Sequence, residues 1–138
     1  MSKWDKLKNI RLLGDYELTD FDFDIYQAIC RAAKFDVEDI TVKDLKAIAK
    51  GKYNADAMLS RNWVSFERLR ELAIGNAPYN AYLKKRMLES ISEMMSIIVM
   101  NRSQAATGTL LYVSICQIDD RAYCGILEWQ KDWGEVIV

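Results

Sequence analysis

The hydrophobic period of this chain changes near residue 107. From Pro78 to about Arg102, Tyr79, Leu83, Met87, Ile91, Met94 and Ile98 recur at spacings of three and four, which predicts one long helix with a core-facing seam. Across Thr107-Gly108-Thr109 that pattern gives way to strand-like runs that continue to Val138. One strand is expected over about Thr109–Ile118, a second over about Ala122–Lys131, and a third from Glu135, with turns at Asp119-Asp120 and Asp132-Trp133-Gly134. In the first of these, Leu111, Val113 and Ile115 alternate with Tyr112, Ser114 and Cys116, so one face is apolar and needs a cover. The long helix is the obvious one. The expected fold class is therefore α+β: a helical N-terminal two-thirds followed by a three-stranded antiparallel meander packed on a long helix.

Shorter elements precede that helix. Trp4, Leu7, Ile10, Leu12 and Leu13 form an amphipathic opening, helix or strand, closed by Gly14. Thr19 or Asp20 can cap a helix from Phe21 to about Lys34, with Phe21, Ile25, Ile29 (or Ala28) and Ala32 facing inward. Thr41-Val42-Lys43-Asp44 resembles a capping box, and the helix it opens buries Val42, Leu45, Ile48 and Ala49 before Gly51 ends it. Short helical pieces are expected around Ala55–Ser60 and from Ser65 to Ile74.

At 138 residues, with 51% hydrophobic and 28% charged positions, the chain reads as a single globular domain, 1–138. Its first residues have no signal-peptide character, and Ile97-Ile98-Val99-Met100 is far too short to span a bilayer, so a cytoplasmic protein without membrane contact is expected. The final residues, Gly134-Glu135-Val136-Ile137-Val138, are apolar and β-branched. A chain ending inside a strand is either a piece of something longer or presents an open sheet edge, which makes Val136, Ile137 and Val138 candidate partner-binding or self-association residues.

Histidine is absent, which excludes His-dependent catalytic triads, His-ligated zinc and imidazole proton shuttles. No cofactor or metal is expected. Cys30, Cys116 and Cys124 form no CxxC pair. With a three-residue loop at Asp119-Asp120-Arg121, Cys116 would face Cys124, as two small residues in preference to a disulfide. The acidic run Phe21-Asp22-Phe23-Asp24 lacks the ligand spacing of a calcium loop, and Ser103–Thr109 lacks the ending of a phosphate loop. Asp119 or Asp120 with Glu128 and Lys131 invites comparison with restriction-type nucleases, but the Glu-to-Lys spacing is one residue too long for a strand to present both on one side.

Charge is uneven although the net is −1. Residues 1–40 carry six bases and nine acids, residues 41–86 ten bases and four acids, and residues 87–138 three bases and seven acids. The middle third is thus the candidate for attracting phosphate. Its ten cations, Lys43, Lys46, Lys50, Lys52, Arg61, Arg68, Arg70, Lys84, Lys85 and Arg86, form a nucleic-acid-binding surface if they converge. Ala47-Ile48-Ala49-Lys50-Gly51 also has the Ala-to-Gly spacing of helix-turn-helix readers.

The run from Leu88 to Val138 resembles the bacterial nucleoid-associated protein family of the larger, roughly two-domain type, some of whose relatives serve in phage defence. The matching pieces are Thr107-Gly108-Thr109-Leu110-Leu111-Tyr112-Val113 and Gly125-Ile126-Leu127-Glu128-Trp129-Gln130-Lys131. The resemblance implies nucleoid or DNA association without catalysis and a further C-terminal portion; it carries over no binding residues. The leading expectation is a non-enzymatic module that binds nucleic acid or a nucleic-acid-handling complex. A small protein-binding inhibitor or adaptor of phage or defence type comes second, and a metal-dependent nuclease-like enzyme third.

Overall fold

The computed structural model describes residues 2–52, 58–103 and 105–137. Its elements run, after a 3₁₀ turn at Lys3–Lys6, as β1 (Ile10–Leu12), α1 (Asp20–Lys34), α2 (Val42–Ala49), β2 (Asn62–Ser65), α3 (Phe66–Ala73), α4 (Ala81–Met95), β3 (Ile98–Asn101), β4 (Ala106–Thr109), β5 (Val113–Ile118), β6 (Arg121–Ile126) and α5 (Glu128–Trp133). The strands form two three-stranded antiparallel sheets, ordered β1-β3-β4 and β2-β6-β5.

The structure is α+β, but it corrects the expected arrangement. Strands are interspersed among the helices, and no single meander lies on a long helix. The expected helix over residues 78–102 is instead α4 followed by β3, because Ile97-Ile98-Val99 is β-branched and finds strand partners on both sides, in β1 and β4. Residues 106–118 make two strands in different sheets, with Leu110 and Leu111 buried at the crossing. The second expected strand stops at Ile126, and residues 128–133 are α5. As a strand, that stretch would set Lys131 on the same face as Trp129 and Trp133. As a helix it brings the two indoles together, centroids 5.7 Å apart, and sends Lys131 to Asp36. No third strand forms from Glu135 within the described residues.

α1 sits at the centre of the molecule. Thr19 accepts from the Asp22 amide while the Asp22 carboxylate accepts from the Thr19 amide, a complete capping box. The other Asp22 oxygen accepts from Ser90 Oγ on α4 at 2.6 Å, so one side chain both starts α1 and joins it to its neighbour. Ten of its fifteen residues are buried, against α3, α4, α5 and β6.

The β2-β6-β5 sheet is covered on both faces. Val64, Ala122, Cys124, Ile126 and Val113 point into the main core with α1 and α3. Trp63, Tyr123, Cys116 and Ile118 point the other way, where Leu45 and Ala49 of α2 close over them. The β5–β6 turn has two residues, Asp119 and Asp120, not three. Cys116 therefore pairs with Tyr123, and Ile115 pairs with Cys124. That one-residue difference puts Cys116 and Cys124 on opposite faces, which removes the expected juxtaposition; all three cysteines are free of disulfides.

Candidate functional site

The ten cations singled out from the sequence separate into two groups. Lys43 and Lys46 lie three residues apart on α2, so they share one face, away from the Leu45 and Ala49 side that docks on the sheet, and Lys50 follows directly at the C-terminal end of the helix. Lys50 is the C-cap in the left-handed conformation (φ 51°), and Gly51 follows at φ 79°, so the chain turns sharply and Lys52 extends the same basic end of α2. All four lysines are exposed, and among the described residues none of them forms an ion pair. Lys85 on α4 is likewise exposed and unpaired among the described residues.

The remaining cations are engaged by the protein itself. Arg61 reaches Glu128 at 3.5 Å and Asp36 at 2.6 Å, tying the start of β2 to α5. Arg68 pairs with Glu71 at 2.9 Å. Arg70 donates to the carbonyls of Gly75 and Ala77 at 3.2 and 3.0 Å, which closes the turn after α3. Lys84 Nζ donates to the Asp120 carbonyl at the β5–β6 turn. The Arg86 guanidinium lies 4.0 Å from the centre of the Phe21 ring, a cation–π contact between α4 and α1. The structure therefore does not bring the ten together as one free surface; what stands free is the α2 stripe, with Lys85 apart from it on α4.

A groove of about 360 Å³ opens beside α2. Ile40, Ile48, Tyr79 and Tyr123 line it, together with the charged Asp39, Glu67 and Arg121. Burial and the nearby Glu67 and Tyr123 push the Tyr79 phenol up from its usual range, so it is a neutral hydrogen-bonding group at neutral pH. Asp39 is already used: its carboxylate accepts from the Ser65 amide and hydroxyl at 2.8 and 2.6 Å. The groove was not legible in the sequence, since its residues come from five separate stretches and meet only through the sheet.

The C-terminal segment is not a free edge. Glu135 and Ile137 are held to α1 by the buried side chain of Gln27, which donates to the Glu135 carbonyl at 2.7 Å and accepts from the Ile137 amide at 2.8 Å. The Glu135 amide donates to Tyr26, and its carboxylate accepts from the Lys8 and Asn9 amides. Val136 and Ile137 are half-buried against the main core, and Val138 lies outside the described residues. Two buried side chains do here what a neighbouring strand was expected to do.

The nuclease geometry fails at its premise, because Glu128 and Lys131 sit on a helix and both are drawn into the Arg61–Asp36 ion-pair group. The helix-turn-helix spacing at Ala47–Gly51 leads into residues 53–57, outside the described residues, and then to strand β2. Among the described residues no group of three or more acidic or thiol side chains is placed to hold a metal, and no helix is long and apolar enough to cross a membrane. No protein-family model, curated protein or solved structure matches this chain.

Proposed function

We propose that this protein is a non-enzymatic binding module that associates with nucleic acid through α2. The observation that carries the reading is the stripe of Lys43, Lys46 and Lys50, continued by Lys52, standing clear of carboxylate partners among the described residues while the arginines of the same region are spent on internal contacts. Two lysines on one helical face and two more at the C-terminal end of the same helix concentrate positive charge where a phosphate backbone can approach it.

The test is duplex-DNA binding measured across salt. A four-lysine contact gives a log–log slope of about −3 to −4, whereas ten cations acting together would give roughly −9. Combined Lys43→Glu, Lys46→Glu and Lys50→Glu reversal abolishes the binding with the circular dichroism spectrum unchanged. Absence of binding at low salt, or a slope untouched by the reversal, removes the proposal.

The groove supports a second reading, a protein-binding inhibitor or adaptor. Ile48 is 42% exposed on the groove side of α2 and close to Tyr79, so a partner's apolar side chain could seat there. Ile48→Asp would then cost partner binding and leave DNA binding intact, which separates the two readings.

A further inference from the structure

Two three-stranded sheets have four edges, and this fold treats them unequally. On β2, the outward-facing Trp63 carbonyl accepts from the Asp39 amide at 3.3 Å, and the outward Ser65 amide is taken by the Asp39 carboxylate. β1 is only three residues long, and the amides of Lys8 and Asn9 just before it are bound by Glu135. On β4 the Thr109 amide donates to the Tyr112 hydroxyl. Those edges are short or occupied, the usual means of preventing strand addition.

β5 differs. Its two-residue turn requires Ile118 and Arg121 to be a hydrogen-bonded pair, so Ile118, Cys116 and Ser114 direct their main-chain groups to β6. Val113, Ile115 and Gln117 direct theirs away from the sheet, and among the described residues none of the three has an outward hydrogen bond. Val113 and Cys116 are buried, so the accessible residues of this edge are Ile115, half-buried, and Gln117, exposed. From Val113 to Ile118 there is no charge and no proline, the residues by which edges are ordinarily blunted.

We infer that β5 is a self-association edge, to which a second copy of this chain adds its own β5, antiparallel, across a two-fold axis. Ile115 of one copy then exchanges main-chain hydrogen bonds with Gln117 of the other, and the symmetry repeats the exchange. The uncharged strand is self-complementary: no rung opposes like charges, and the Asp119 turns of the two copies lie about 20 Å apart, roughly two Debye lengths at 0.1 M salt. A charged partner strand would find nothing on β5 to pair with. The product is a continuous six-stranded sheet. This inference does not depend on the nucleic-acid reading, although a dimer would present two α2 stripes.

Sedimentation equilibrium from low micromolar to several hundred micromolar tests it, with the wild-type mass rising to twice the monomer value. Gln117→Pro deletes an outward donor while leaving the β6 ladder intact, and it shifts the dimerisation midpoint up by roughly tenfold or more. Gln117→Lys, which keeps the main chain, does the same by placing a charge at the edge, so a folding defect in the proline variant leaves the test readable. A wild type that stays monomeric throughout, or a dimer unaffected by both substitutions, overturns the inference.

Discussion

Cys30 and Cys124 are fully enclosed, and burial pushes each thiol up to about 12, because a thiolate in that interior would have no water to solvate it. The consequence for stability follows from which state releases protons. Above about pH 9 the unfolded chain loses thiol protons that the folded chain keeps, so stability falls as pH rises, by up to about 1.4 kcal/mol per pH unit for each thiol, until pH 12 is approached. Burial likewise raises the Tyr26 phenol well above 10, which deepens the loss at the alkaline end. Urea midpoints compared at about pH 8 and about pH 10.5 check this; equal midpoints would show that these groups are solvated in the fold. The same burial makes both thiols inert to alkylation at neutral pH until the protein unfolds. An odd count guaranteed only one unpaired cysteine; that no disulfide joins the other two is shown by the structure. The separation of Cys116 and Cys124 onto two faces of one sheet was not readable in the chain either, because it depended on whether the β5–β6 turn holds two residues or three.

At the scale of elements, α2 shows how a local pattern becomes a surface. Eight residues are too few to hold a helix in water alone. Its stability comes from the Thr41 cap and from Leu45 and Ala49 seated over Trp63, Cys116, Ile118 and Tyr123. Leu45→Ala should cost about 2–5 kcal/mol in chemical denaturation, with amide exchange in residues 42–49 accelerating before that of α1. Uniform exchange across both helices would mean that α2 is not a separate unit of stability. Ile48, expected to be buried with Leu45 and Ala49, lies 42% exposed in the groove because the sheet beneath α2 covers only one side of the helix. The cap, the buried Leu45 and Ala49 and the cluster of lysines of α2 were legible in the chain. The end of α4 was not, since Met94 and Ile98 keep helical spacing while Ile98 actually pairs with Thr109. Periodicity could not reveal that pairing partners existed far earlier in the chain, in β1 (Leu12 for Val99), as well as shortly after, in β4 (Thr109 for Ile98).

For the whole molecule, the ends of the chain are brought together by one helix between them. Gln27 binds the residue 135–137 backbone as a strand would, and the Glu135 carboxylate receives the amides that precede β1. Gln27→Ala should release residues 134–137, seen as faster amide exchange and early proteolysis there, and should destabilise the protein by roughly 1–3 kcal/mol from the unpaired groups left behind. Retained protection of Ile137 in that variant would show that apolar packing alone holds the segment.

The chain alone determined the mixture of helix and strand, the cap of α1, the seam of α4 and the α2 stripe, because each depends on neighbours within a few residues. It also determined the absence of histidine chemistry. Tertiary structure decided the rest: two sheets where one was expected, a helix at Glu128–Trp133, the anchoring of the final residues, and which cations stay free. These outcomes turn on partners far apart in sequence. An arginine's charge is plain in the chain, but whether it meets Glu128, the Ala77 carbonyl or the Phe21 ring is settled only when the elements pack.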